Sequence, residues 1–263
     1  MAEVIAFANR KGGVAKTTSW KTTSCLSLGF WLADQGKRVL MIDNDAQANL
    51  TEFFNFDSDE LENEKRTLYT AYTSDAPLSS LVLLQNPALI PASDQLSDVE
   101  SDLMHNTLIN RATILEEKLA ELDSSYDYIL IDCPPWLNVL TINALVASHR
   151  VLIPMATDRF AANGVYRLLT VVKDIRLRLN RQLEVFGILP TRFTPQYLND
   201  RKNLDRVREL AASVRVQLFE PIRRSTVFNS EIADDAPPET IRPDARAVSL
   251  YNSVGEALLH GTQ

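Results

Sequence analysis

The stretch Val4-Ile5-Ala6-Phe7-Ala8-Asn9-Arg10-Lys11-Gly12-Gly13-Val14-Ala15-Lys16-Thr17-Thr18 decides the fold. Its first five residues are an unbroken apolar run and read as a buried strand. A helical pattern begins near Lys16, and a turn rich in small residues joins the two. A strand, a tight turn and a helix N-terminus together make an anion site: backbone N–H groups converge there, at the positive end of the helix dipole. At that site Lys16 is expected to place its ammonium on the β/γ-phosphates of a nucleotide, and Thr17 to offer a hydroxyl to Mg²⁺.

The chain has 263 residues, 45% of them hydrophobic and 23% charged, ordinary values for a globular protein able to bury a large core. It opens directly into a strand pattern carrying Glu3, so no signal peptide is expected. No apolar run approaches the roughly 18 residues that a membrane span needs. Cys25 and Cys133 lie far apart and read as buried, reduced thiols of a cytoplasmic protein. A net charge of −7 argues against a protein coated in nucleic acid.

Strand and helix patterns alternate. Thr17–Gln35 reads as a helix stopped by Gly36, and Lys37–Asp43 as a second buried strand ending in a carboxylate. Ala46–Phe54 is expected to be a short helix, and Asp57–Glu64 a solvated acidic stretch. Leu81–Leu84 and Leu89–Ile90 are weak strand candidates. Asp94–Leu122 carries one long helical pattern. Tyr128–Asp132 is a third strong strand, halted by Pro134-Pro135. Strands at Val151–Pro154 and Val185–Pro190 flank a helix over Gly164–Leu179; Arg201–Ser213 is a further helix and Val216–Phe219 a last strand. Ala245–Leu259 closes the chain as an amphipathic helix. With no repeat of long period and no linker, one domain over residues 1–263 is expected. Its class is α/β: a mostly parallel, doubly wound central sheet with helices on both faces.

In such sheets ligands bind beyond the carboxyl ends of the strands, where residues 9–17, Asp43 and Asp132 are expected to meet. Asp132 follows four apolar residues, as a carboxylate that holds Mg²⁺ directly or through water would. Asp43 ends the neighbouring strand and could orient the attacking water or contribute to the metal site, with Asp45 in support. One strand-terminal Asp is most often a cap or turn residue; two of them with a Lys-Thr loop point to nucleotide hydrolysis.

Lys11-Gly12-Gly13-Val14-Ala15-Lys16-Thr17-Thr18 resembles the deviant Walker A motif of the ParA/MinD family of ATPases, K-G-G-x-G-K-T-[ST]. Asp43-Asn44-Asp45-Ala46-Gln47-Ala48-Asn49 resembles the family's D-x-D-P-Q-[AG]-N segment, and Ile131-Asp132-Cys133-Pro134-Pro135 its I-D-x-P-P segment. The resemblance runs over nearly the whole chain and implies a P-loop-type fold, ATP and Mg²⁺ as cofactors, weak intrinsic ATPase activity, and ATP sandwiched in a homodimer. It further implies that Lys11 reaches the partner subunit's phosphates, while Gly12, Gly13, Val14, Ala15, Lys16, Thr17 and Thr18 cradle the nucleotide in cis. Thr191-Arg192-Phe193 and Pro221 would border the adenine. Lys11, Lys16 and Asp43 are the expected catalytic residues; Thr17, Asp43 and Asp132 are those expected at the metal.

Two departures stand out. Ala15 replaces the family glycine, which costs about 1 kcal/mol if that position needs positive φ. Lys16-Thr17-Thr18-Ser19-Trp20 is followed by the near-copy Lys21-Thr22-Thr23-Ser24-Cys25. In the family the phosphate lysine precedes the strand-end aspartate by 22 positions, the spacing from Lys21 to Asp43, whereas Lys16 stands 27 positions away. Five residues add about 7.5 Å to a helix and turn its face by about 140°, so either a lengthened, bulged first helix or a rearranged loop is expected. Lys21-Thr22 is preceded by Ser19-Trp20 instead of glycines, so Lys16 is expected to keep the phosphate role and Trp20 to crowd any cradle at Lys21.

Between Lys173 and Arg224 twelve basic residues stand against six acidic ones, a window of +6 in an acidic chain. The resemblance implies nonspecific double-stranded DNA binding from this third of the chain, with Arg201, Lys202, Arg223 and Arg224 as candidate phosphate contacts. It also implies nucleoid association and a ParB-like or adaptor protein that stimulates hydrolysis. The cargo could be plasmid or chromosome DNA, or a protein assembly such as a bacterial microcompartment. A third possibility is a DNA- or adaptor-binding scaffold whose ATP chemistry is impaired by Ala15 and the duplication. The tail Val254–Gln263 lacks a basic amphipathic helix, so no membrane partner is expected, and neither cysteine is placed to bridge a dimer through an iron–sulfur cluster.

Overall fold

A central sheet of six strands, all parallel, organises the molecule. The structure, a computed structural model, describes residues 2–9, 20–104, 111–122, 124–228, 233 and 235–260. The chain runs β1 (Glu3–Phe7), α1 (Trp20–Asp34), β2 (Val39–Asp43), α2 (Asn49–Glu52), α3 (Ser58–Asn63), α4 (Leu68–Thr73) and β3 (Ala88–Ile90). It continues through α5 (Val99–Met104), α6 (Ile114–Leu119), β4 (Tyr128–Asp132), α7 (Val139–Val146), β5 (Arg150–Ala156) and α8 (Ala161–Arg178). Last come β6 (Glu184–Thr191), α9 (Leu198–Val214), α10 (Ala245–Ser249) and α11 (Asn252–His260).

The spatial order β3-β2-β4-β1-β5-β6 places β4 between β1 and β2. From β1 the chain steps outward to β2 and β3, then returns through β4 and continues on the other side through β5. That reversal opens a crevice at the strands' carboxyl ends. Register brings Phe7 and Asp43 to either side of Asp132, so the two strand-terminal aspartates are neighbours.

Alternation along each strand separates two cores. Val4, Ala6, Leu40, Ile42, Ile129 and Ile131 face the layer containing α4 to α9. Ile5, Phe7, Met41, Leu130 and Leu152 face α1, α10 and α11. Helix α1 is covered on nearly every side: all residues from Lys21 to Leu32 are buried. At Gly29 a Cβ would meet Met41 Sδ at 2.7 Å, so a larger residue there would displace the Met41 side chain. A Cβ on Gly255 would come within 2.2 Å of the Trp31 ring, which seats α11 on α1; Trp31 Nε1 also donates to Asn252 Oδ1 at 2.7 Å. Gly36, at φ 74°, ends the helix as expected and turns the chain toward β2.

Several boundaries differ from the pattern reading. α1 starts at Trp20 and is unbroken, so among the described residues no bulge takes up the duplication. The 94–122 pattern is divided: a 3₁₀ turn over Asp94–Asp98 leads into α5, and α6 begins only at Ile114. Asn143 explains the second start, since its side chain accepts from Leu115 N and donates to Arg111 O, holding the backbone ahead of α6 from α7. Asp57–Glu64 carries the short helix α3, capped by the Asp57 side chain. Val216–Phe219 and Leu81–Leu84 form single bridges instead of strands, Leu218 to Ile188 and Leu83 to Leu89. The terminal helical pattern divides at Tyr251, whose buried hydroxyl lies 3.0 Å from Ser24 Oγ.

Candidate functional site

The carboxyl ends of β2 and β4 meet the N-terminus of α1, and four ionisable side chains collect there: Lys21, Asp43, Asp45 and Asp132. All four are buried. Thr22 Oγ1 donates to Asp132 Oδ2 at 2.5 Å. Lys21 Nζ donates to the Cys133 carbonyl and lies 3.7 Å from Asp45 Oδ2. Asp132 Oδ1, fully buried, has no hydrogen-bond partner among the described residues. A buried carboxylate oxygen without a donor is costly in an apolar setting, and a cation or its bound water would satisfy it.

Burial pushes the Asp132 carboxyl up to about 7, against the opposing pull of Lys21 and the Thr22 hydrogen bond. Asp43 rises to about 8, first through burial and then through the Asp132 charge. Two carboxyls in adjacent register resist ionising together, and positive charge placed between them would lower both. Asp43 is otherwise occupied: its Oδ2 accepts from Thr51 N and Oγ1 at 2.9 and 2.8 Å, and its Oδ1 from Asp45 N at 3.3 Å. Thr51 Oγ1 in turn accepts from Ala92 N, which ties the end of β3 into the same network.

The donor set suits Mg²⁺. A hydroxyl and a carboxylate are hard oxygen ligands, and Mg²⁺ is held by one or two of these while it keeps waters and phosphate oxygens. Among the described residues no group of three or more ligand side chains forms a ready-made cage, in keeping with a metal that arrives with its phosphates. Burial pushes both the Cys25 and the Cys133 thiols up, so they remain protonated, as reduced buried cysteines should.

Arg192 follows β6 with φ 56°, and Phe193 N donates to Ile222 O while Arg224 N donates to Phe193 O. These bonds bring Pro221 and Phe193 to one strand end. The Arg192 guanidinium lies 5.7 Å from the Trp20 ring centroid, and Phe228 meets Trp20 edge-on at 5.3 Å. The predicted base-side segment therefore adjoins the head of α1.

Lys11, Gly12, Gly13, Val14, Ala15, Lys16, Thr17 and Thr18 lie outside the described residues. The expected phosphate lysine, Lys16, is therefore outside them, while the side chains of Lys21 and Thr22 reach the Asp132 end of β4. The Trp20 ring packs edge-on against Phe228 and beneath the Arg192 guanidinium. The spacing of 22 from Lys21 to Asp43 agrees with this placement of Lys21-Thr22.

Arg201, Lys202, Arg223 and Arg224 are exposed. Arg223 and Arg224 line a cavity of about 390 Å³ with Phe193, Thr194 and Tyr197, and Arg201 stands one turn beyond Tyr197 on α9. Among the described residues no helix is long and apolar enough to cross a membrane.

Comparison with known proteins supplies independent findings. Residues 2–185 match the family model described as an AAA domain. The chain is 34% identical over 257 residues to the sporulation initiation inhibitor protein Soj of Bacillus subtilis, covering 95% of this chain and 96% of that protein. It is 34% identical over 261 residues to the chromosome partitioning protein ParA of Caulobacter vibrioides, covering 97% and 86% respectively. Among solved structures, cobyrinic acid a,c-diamide synthase from Mycobacterium smegmatis with bound ATP analog and magnesium superposes with a TM-score of 0.79 at 31% identity, covering 98% of this chain and 94% of that one.

Proposed function

The chain belongs to the ParA/MinD family of ATPases, and from that membership we propose that it is an ATP-dependent dimerising switch that partitions or positions cargo over DNA. The observation that carries the ATP-binding part is the buried Asp132 carboxylate beside the first turn of α1, one oxygen held by Thr22 and the other without a partner among the described residues. Magnesium, when bound with ATP, would supply the positive charge that offsets negative charge on the phosphoryl oxygens.

The roles of this chain's residues follow. A Lys-Thr pair heading α1 binds phosphate through its ammonium and backbone N–H groups and offers the metal a hydroxyl. Asp132 holds the metal or one of its waters. Asp43 orients the attacking water. Arg192, Phe193 and Pro221 border the base. Lys11 crosses to the partner subunit's phosphates, so closure needs two chains and nucleotide together. Arg201, Lys202, Arg223 and Arg224 hold the DNA backbone without sequence preference, placing the protein on the nucleoid in the cytoplasm. A ParB-like or adaptor protein then stimulates a slow intrinsic hydrolysis by supplying missing transition-state stabilisation.

Titration calorimetry with Mg²⁺ and a nonhydrolysable ATP analogue tests this reading. The wild-type chain is expected to bind, and Asp132→Asn to bind roughly tenfold or more weakly with magnesium while losing little without it. Equal affinity of the two proteins in magnesium would remove Asp132 from the metal site. Size-exclusion chromatography with light scattering should show a dimer only with nucleotide.

A further inference from the structure

We propose that Lys21 and Thr22, not Lys16 and Thr17, are the phosphate lysine and the magnesium threonine of this chain. The assignment rests on the nucleotide-binding reading above and goes beyond it by choosing between two nearly identical Lys-Thr-Thr-Ser segments.

Two contacts hold α1 in register downstream of the duplication. Gly29 packs against Met41, whose Sδ would lie 2.7 Å from a Cβ there. Trp31 is gripped by Gly255 and by Asn252. A slip of five residues would turn the helix by about 140° and carry each of these off its partner. α1 is therefore held in the register that sets Lys21 at 22 positions ahead of Asp43.

With the register held, the first turn of α1 presents Lys21 and Thr22 to the end of β4. Thr22 Oγ1 already bonds one oxygen of Asp132, and the other is the buried acceptor without a partner among the described residues. The Lys21 ammonium is buried between the Cys133 carbonyl and Asp45, within one side chain's reach of the same helix end. Its charge acts on both Asp45 and Asp132, which places the ammonium at the carboxylates where a metal-bound polyanion would arrive.

In the sequence Thr17–Trp20 directly precede Lys21, and Gly12 and Gly13 stand five positions further from Lys21 than from Lys16. Removing Lys16–Trp20 joins Lys11–Ala15 directly to Lys21.

The test is calorimetric binding of a nonhydrolysable ATP analogue, with and without Mg²⁺, to the full chain, Lys16→Ala, Lys21→Ala, Thr17→Ala, Thr22→Ala and a chain lacking residues 16–20. Lys21→Ala is expected to weaken binding about tenfold or more, and Lys16→Ala less than about threefold. Thr22→Ala should remove most of the gain in affinity from magnesium, and Thr17→Ala should preserve it. The shortened chain should bind at least as tightly as the full one. If Lys21→Ala fails to fold, as judged by thermal unfolding, the Thr17 and Thr22 variants decide. Loss of binding in Lys16→Ala or of the magnesium effect in Thr17→Ala, with the second pair neutral, overturns the assignment. Binding by the shortened chain alone also overturns it while sparing the nucleotide reading; absence of binding in both full and shortened chains overturns both.

Discussion

Asp43 shows how one side chain serves both structure and chemistry. Its buried carboxyl gathers Thr51 N and Thr51 Oγ1, and Thr51 passes the connection to Ala92. Asp43→Ala would leave three buried donors, Thr51 N, Thr51 Oγ1 and Asp45 N, without that acceptor, at about 1–3 kcal/mol for each left unsatisfied, offset in part by removing a buried acid. We expect a net loss of about 1–3 kcal/mol in denaturant unfolding for Asp43→Ala, and a smaller loss for Asp43→Asn, which keeps an acceptor oxygen. If Asp43 orients the attacking water, both variants should lose turnover while binding the nonhydrolysable analogue. Retained hydrolysis in Asp43→Asn would leave the residue a purely structural part.

At the scale of elements, α1 is the piece on which the site depends, and α11 is its outer clamp. Gly255→Ala forces a methyl group into the Trp31 ring, a rigid neighbour that cannot swing away as a methionine can. A destabilisation of about 1–3 kcal/mol is expected, read as a lowered thermal midpoint, whereas a surface Gly→Ala change would be nearly neutral. The sheet has a separate clasp at its amino-terminal edge: Arg38, ahead of β2, donates to Asp127, ahead of β4, through N, Nε and NH2. These bonds hold the Asp127 carboxyl down at about 2. A lowered acid pKa stabilises the fold above the unfolded value near 4, and the benefit is lost as pH falls through that value toward 2. Because the pair is largely exposed, Asp127→Asn should cost no more than about 1 kcal/mol at pH 7. Chemical denaturation of the two proteins should converge as the pH approaches 2.

For the whole molecule, the uneven charge is the informative feature. The chain is acidic at −7, yet its window from Lys173 to Arg224 is basic, and Arg201, Lys202, Arg223 and Arg224 are all exposed. The backbone pairing of Phe193 with Ile222 and Arg224 brings the last two toward the start of α9. If they neutralise DNA phosphates, replacing Arg223 and Arg224 with glutamate should weaken nucleotide-dependent DNA association. It should also flatten the plot of log affinity against log salt by about two units. An unchanged slope would remove both residues from the surface.

Much of this architecture was legible in the amino-acid order. Continuous apolar runs at β1, β2 and β4, each followed by a helical period, imply a buried parallel sheet because nothing else covers both faces of such strands. The aspartates at positions 43 and 132 each close such a run, which put them at one end of the sheet before any pairing was known. Local pattern failed where distant side chains decided the backbone. Asn143 sets the start of α6, Tyr251 divides the terminal helices, and the segment at Val216–Phe219 finds a single bridge where a ladder was expected. Between Lys16-Thr17 and Lys21-Thr22 the order of residues could offer spacing against context and nothing more, because two copies of Lys-Thr-Thr-Ser have the same local propensities. Packing places the second copy: Gly255 on Trp31 seats α1 against α11, and the first turn of α1 in that register brings Lys21-Thr22 to Asp132.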